Sequence, residues 1–196
     1  QTYRVQKVLQ IFEPTNEDRV VDMGCGWGTF CFALQHRVKE IVGVDFSQKS
    51  IDFCEAEAAR RGLDNVRFVR ADARETGLPQ AAYDLVIAAD FFEHLYPDDS
   101  VLVLHECRRL LRQGGRLAIW TPNRGHFLEM LKNHNIVLKA DPTHVDYKSM
   151  ARLKTMLTDA GFLVEKSFYA ESHLPLLRGI ERALQPTIPL LRRRIA

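Results

Sequence analysis

The chain has 196 residues, 46% of them apolar and 27% charged, with a formal net charge of +2. That length supports one continuous core and leaves little room for two, so residues 1–196 are expected to form a single domain. The near-balanced charge argues against a chain that grips nucleic acid along its surface, and no apolar run approaches the roughly 18 residues of a membrane-spanning helix.

Four cysteines, Cys25, Cys31, Cys54 and Cys107, are scattered without a Cys-x-x-Cys pair. This argues against a disulfide framework and a structural zinc site, and a cytoplasmic setting is expected. The amino terminus lacks a basic-then-apolar signal pattern.

Val5, Val8, Leu9 and Phe12 recur at the spacing of one helix face until Pro14, which predicts a lead-in helix. Residues 19–23 then read as a short apolar strand entering a glycine-rich turn, followed by helical composition over 29–37. The alternation repeats: a strand over 40–45, a helix capped by Ser47 and ended by Gly62, and a strand over 66–70. A fourth strand is expected over 83–89, a helix over 100–112 and a fifth strand over 115–120. A last helix over 148–160 closes at Gly161, with a sixth strand over 162–169. Such regular alternation with short loops is the signature of an α/β, Rossmann-like doubly wound sheet. Residues 122–147 and 170–190 break the rhythm and are expected to be substrate-side insertions.

Gly24-Cys25-Gly26-Trp27-Gly28 lies between a strand and a helix, where missing side chains let the backbone approach a ligand. A glycine-rich turn also serves plain packing. Spacing narrows the ligand: a dinucleotide fingerprint needs its third glycine at position 29, which is Thr29. Asp22, just before the loop, would repel a pyrophosphate but can orient the loop or meet an ammonium group. Asp45 ends the second strand, where a carboxylate can accept both hydroxyls of a ribose. Asp72 ends the third and can accept from an adenine amino group while the amide of Ala73 faces a ring nitrogen. Any one of these acids can be a solvated strand end, but three in succession beside a glycine loop form a pattern.

These residues carry a resemblance. Val20-Val21-Asp22-Met23-Gly24-Cys25-Gly26-Trp27-Gly28-Thr29-Phe30 resembles the first motif of the class I S-adenosylmethionine-dependent methyltransferases, and Ile41-Val42-Gly43-Val44-Asp45-Phe46-Ser47 resembles the segment after it. The likeness continues through Arg70-Ala71-Asp72-Ala73, residues 83–90 and residues 111–117. It implies a seven-stranded sheet in the order 3-2-1-4-5-7-6, strand seven antiparallel, and S-adenosylmethionine as cofactor. Gly24, Cys25 and Gly26 would meet the methionine moiety, Asp45 the ribose, Phe46 the adenine face and Asp72 the adenine amine. The chain stops within residues 191–196, a run that can open a strand, so the seventh strand is expected to be truncated.

Methyl transfer is an in-line displacement, and a base is needed only where the nucleophile carries a proton. Strand four ends in Asp90-Phe91-Phe92-Glu93-His94-Leu95. Amino-directed nucleic-acid methyltransferases resemble one another in an Asn/Asp-Pro-Pro-aromatic motif here, and its absence argues against bases as acceptors. Glu93 and His94 instead resemble the Glu-His pair of small-molecule branches such as the ubiquinone-type O-methyltransferases, in which acidic residues and this histidine are associated with a divalent metal. Asp90 is counted with the cofactor-binding residues, and Glu93, His94 and His144 form the candidate catalytic set. His94 is favoured as general base over a metal ligand, so no metal site is assigned, although a divalent ion stays open.

The expected acceptor is a small or lipid-linked molecule, with oxygen, nitrogen or carbon as its nucleophile. The basic tail that includes Arg192, Arg193 and Arg194 allows peripheral contact with an anionic membrane. Three alternatives remain open: lipid methylenation of the cyclopropane-synthase kind, nicotinamide-dependent oxidoreduction, and a non-catalytic cofactor binder.

Overall fold

A computed structural model describes residues 2–9, 11, 13–122 and 143–169. In chain order the elements are α1 (Thr2–Leu9), β1 (Arg19–Met23), α2 (Thr29–Leu34), β2 (Glu40–Asp45), α3 (Gln48–Arg61), β3 (Val66–Arg70) and β4 (Tyr83–Ala89). A 3-10 turn at Phe92–His94, α4 (Pro97–Leu110), β5 (Leu111–Trp120) and α5 (Met150–Asp159) complete the set.

The five strands form one sheet in the order β3-β2-β1-β4-β5, and every pairing is parallel. Parallel sheets are covered on both faces, which is why β1 and β4 are near-continuous buried apolar runs. Successive residues point to opposite faces and feed two cores. Val20, Ile41, Leu85 and Ile87 join Leu34, Ile51 and Ala58 of α2 and α3, with Val5 and Val8 of α1. Val21, Val42, Val86 and Ala88 join Val103, Leu104, Cys107 and Leu110 of α4, with Met156 and Leu157 of α5.

Local chemistry sets the element ends. Ser47 caps α3 by accepting the Ser50 amide at 3.3 Å, and Gly62 closes it at φ +66°, a conformation glycine adopts without strain. Helix α2 stops at Leu34, short of the expected residue 37. Helix α4 spans Pro97–Leu110 rather than residues 100–112, because Pro97 suits the first turn and Asp98 and Asp99 complement its free amides. Strand β5 begins at Leu111, opposite Tyr83, and then skips register so that Arg116 faces Leu85. Only after that bulge does it follow the expected ladder.

Residues 162–169, expected as strand six, carry no strand. In the seven-stranded order strand six pairs only with strand seven, and residues 191–196 lie outside the described set. With no described strand to pair with, Leu163 is 86% exposed. The expected insertion at 170–190 and the basic tail also lie outside the described residues, as does 123–142 of the first insertion. Among the described residues no helix is long and apolar enough to cross a membrane.

Between β1 and β4 the order of connection reverses: the chain leaves β1 toward β2 and β3, then returns to place β4 and β5 on the other side. The crevice at the carboxyl ends of such strands is where ligands of doubly wound sheets bind.

Candidate active site

One wall of that crevice is the glycine loop after β1. Gly24, Gly26 and Gly28 have φ of +71°, +50° and +72°, which strongly favours glycine. A Cβ on Gly24 would overlap the Phe91 ring, which follows β4, so the two ends of the crevice touch at this glycine. Around Gly26 a Cβ would meet nothing within 4 Å, leaving open space for a ligand.

The loop's amides are already used. Gly24 and Cys25 donate to Val44 O at 2.8 and 3.0 Å, and Gly26 donates to Asp45 Oδ2 at 2.9 Å. With these amides turned inward they are not offered to a pyrophosphate, and of the loop carbonyls Cys25 O accepts the Gly28 amide at 2.9 Å and Gly26 O the Cys54 thiol at 3.4 Å.

Asp45 closes the loop from β2. Its Oδ1 accepts the Ser47 amide at 2.9 Å while Oδ2 holds Gly26, so both oxygens are fixed in place. Each retains acceptor capacity for one ribose hydroxyl. Phe46, next in the chain, is 78% exposed and offers an uncovered aromatic face. A ribosyl-adenine group fits this pair.

Asp72 behaves differently. Arg74 grips its carboxylate, with Nη2 at 2.6 Å from Oδ2 and its amide at 2.9 Å from Oδ1, and also reaches Asp99. The Arg74 side chain holds the Asp72 carboxyl below its usual range. Any contact to an adenine amine must share a carboxylate already paired. Ala73 packs partly buried against the α4 side of the core.

Asp22 is 2% exposed and lies under α2, accepting the Cys31 thiol at 3.5 Å. Burial raises its pKa to about 7 against the lowering effect of that thiol, with Asp45 adding to the rise. So deep a position fits orienting the loop better than direct contact with an ammonium.

The opposite wall follows β4. Asp90 adopts φ +50°, uncommon for a residue with a side chain, and donates its amide to Trp120 O at 2.8 Å. This reverses the chain into the Phe92–His94 turn. Glu93 is 1% exposed, and burial lifts its pKa to about 7. Thr121 Oγ1 donates to Glu93 Oε2 at 3.0 Å, while Oε1 has no hydrogen-bond partner among the described residues.

His94 Nδ1 lies 3.0 Å from Thr143 O. A carbonyl only accepts, so Nδ1 carries the proton and Nε2 is the basic nitrogen of the neutral ring. The His144 ring meets His94 edge to face, with centroids 4.8 Å apart, and its Nδ1 is 2.6 Å from Tyr147 Oη. One ligand atom from each of Glu93, His94 and His144 falls within 4.8 Å of the others. Two imidazoles and a carboxylate form a donor set able to hold a divalent ion. The cluster joins the three residues grouped as catalytic candidates from the sequence and does not include Asp90.

Sequence reasoning missed three contributors. Lys148 is 2% exposed and donates to Phe92 O at 2.6 Å. Tyr147 sets His144, and Arg74 occupies Asp72. A lysine beside Asp146 and a tyrosine near a histidine look like ordinary surface residues, and only tertiary contact distinguishes them.

With this geometry in view, residues 20–115 match the methyltransferase domain family. The chain belongs to the class I S-adenosylmethionine-dependent methyltransferases. It is 31% identical over 120 residues to aklanonic acid methyltransferase DauC of a Streptomyces species, covering 60% of this chain and 54% of that one. It is 30% identical over 144 residues to a ubiquinone biosynthesis O-methyltransferase of Leptothrix cholodnii, covering 71% and 60%. The crystal structure of the YcgJ protein of Bacillus subtilis shares the fold at a TM-score of 0.70 and 24% identity, over 82% of this chain and 68% of that one. The chain thus spans little more than half the length of these two curated relatives.

Proposed function

We propose that this chain transfers a methyl group from S-adenosylmethionine to an oxygen, nitrogen or carbon nucleophile of a small or lipid-linked acceptor. The observation that carries this reading is the meeting of two walls at one crevice. The glycine loop closed by Asp45 faces the Glu93, His94 and His144 cluster through the Gly24 and Phe91 contact.

Asp45 accepts the ribose hydroxyls, Phe46 stacks on the adenine, Asp72 and Ala73 read its edge, and the loop of Gly24, Cys25 and Gly26 receives the amino-acid end. Asp22 orients that loop, and Asp90 shapes the cofactor's far side. When bound, S-adenosylmethionine supplies an electrophilic methyl group on a positive sulfur. Positioning then does much of the catalysis. His94 takes the acceptor's proton on Nε2 while Thr143 holds the other ring nitrogen in the required tautomer. Glu93, with a pKa near 7, either keeps a proton or supports the charged imidazole beside it. His144, packed against the His94 ring, borders the acceptor on the same side.

Relatives named for aklanonic acid and ubiquinone biosynthesis support a small-molecule acceptor. The internal use of the loop's amides disfavours a nicotinamide dinucleotide. Calorimetry with S-adenosylmethionine, S-adenosylhomocysteine and NAD tests the cofactor. A screen of candidate acceptors with a radiolabelled methyl donor tests the reaction and separates methylation from methylenation by product mass. Binding of NAD in preference to both sulfur nucleosides would overturn the reading, and tight cofactor binding without transfer to any acceptor class would favour the silent binder.

A further inference from the structure

We propose that Lys148 is a positioning residue whose buried ammonium docks the 143–148 segment onto the Phe92–His94 turn and thereby places His144 against His94. The functional sense of this placement rests on the proposed methyl transfer; the placement itself does not.

A helical turn of three residues cannot satisfy its own last carbonyls, and buried carbonyls require partners. Here the partners come from a distant part of the chain. Lys148 Nζ donates to Phe92 O at 2.6 Å and Leu95 O at 3.2 Å, and Val145 and Asp146 donate their amides to Glu93 O at 2.9 and 3.2 Å. The third ammonium proton goes to Asp146 O at 3.3 Å, within Lys148's own segment. An ammonium has three donors, and all three are used. The Asp146 carboxylate supplies the counter-charge through Oδ2, 3.4 Å away, while its Oδ1 accepts from Arg152 at 2.8 Å.

The Lys148 side chain is fully buried, a rare and costly state for lysine unless every donor is met. Were filling space the only need, an apolar side chain of similar length would suffice. Instead the ammonium fixes the turn on both sides of Glu93 and His94. The segment it anchors then returns a bond, His94 Nδ1 donating to Thr143 O at 3.0 Å. His144 lies between that bond and the Lys148 anchor, so its register against His94 follows from both.

The test uses the full chain labelled with nitrogen-15 at histidine, with ring resonances of His94 and His144 as readout and His36 and His105 as internal controls. Lys148→Met removes the three donors and keeps the stem. Lys148→Arg keeps the charge, but a planar guanidinium cannot place three donors on the same carbonyls without moving the segment. Both variants are expected to shift the His94 and His144 resonances and leave the controls in place. Affinity for S-adenosylmethionine should stay within about twofold, since among the described residues no hydrogen bond joins Lys148 to the glycine loop or Asp45. Unmoved His94 and His144 resonances in a folded variant overturn the proposal. So does a shift of all four histidines together with lost cofactor affinity, which would mark general loosening. If Lys148→Met does not fold, Lys148→Arg decides. No acceptor is needed, so failure to find methyl transfer and failure of the positioning role are separate results.

Discussion

The amide of Gly26 and the carboxylate of Asp45 are joined at 2.9 Å, so the residue assigned to the ribose also holds the glycine loop closed. Asp45→Ala removes both functions at once. It is expected to weaken S-adenosylmethionine binding by about 1–3 kcal/mol, the range for losing charge-assisted hydrogen bonds. Calorimetry on the folded variant measures this, and unchanged affinity would remove Asp45 from the ribose.

Asp72 should matter less. Its carboxylate is half exposed and already shared with Arg74. Asp72→Ala is expected to cost under about 1 kcal/mol of cofactor affinity, as for other exposed polar contacts, and to narrow the preference for adenosyl over inosyl analogues. An undiminished preference would count against an adenine contact.

Gly24 is constrained twice, by a φ of +71° and by the Phe91 ring where a Cβ would stand. Gly24→Ala is expected to destabilise the fold by about 1–3 kcal/mol through overpacking and backbone strain. Adding Phe91→Ala should recover part of that loss, because the overlap goes and only the strained φ remains. Denaturant unfolding of the two single variants and the double variant reads the coupling; strict additivity would show that the ring and the glycine do not press on each other.

Asp22 makes stability pH-dependent. Its pKa rises from 3.8 to about 7 on folding, so the native state binds a proton that the unfolded chain releases. The contribution is full below pH 4 and is lost as pH climbs toward 7, so stability falls across that window. Glu93, also raised to about 7, acts with the same sign. Asp22→Asn should therefore flatten the slope between pH 4 and 7 without abolishing it. Urea unfolding at several pH values checks this, and a slope equal to the parent's would place the Asp22 pKa near its ordinary value.

His94→Ala is expected to lower turnover by about 10² to 10⁴ while leaving cofactor affinity nearly unchanged, the pattern of a lost general base. Turnover of the parent should survive chelators. If chelation abolishes it and a divalent ion restores it, with Glu93→Gln and His144→Ala equally inactive, His94 belongs to a metal site instead.

The cofactor half of the fold was legible in the chain because its signals are local. Buried apolar runs mark β1, β2 and β4, apolar residues alternate with arginine along β3, and each strand meets a glycine or an acid at its carboxyl end within a few residues. Ser47 and Gly62 show where α3 starts and stops. The start of α4 was misplaced because Pro97, Asp98 and Asp99 look like loop residues until the helix is known to begin there. Residues 162–169 have strand composition, but a strand exists only with a partner, and composition does not supply one. Glu93, His94 and His144 stand out as candidates in the sequence, but their contact depends on how the 143–148 segment lies on the turn. That register is set by Lys148, Tyr147 and Val145 across a long stretch of chain, beyond the reach of spacing or periodicity.

The stitching of the 143–148 segment also divides the crevice by how its parts hold together. Gly24, Cys25 and Gly26 are bonded to the adjacent strand β2, inside the central sheet, whereas the segment carrying His144 is bonded to the turn that follows β4. Local openings of a native protein follow such differences, and weakly tethered segments open first. Should local opening follow this difference, the 143–148 segment opens before the glycine loop does. In hydrogen exchange, the amides of Val145 and Asp146 should accordingly exchange well before those of Gly24 and Cys25.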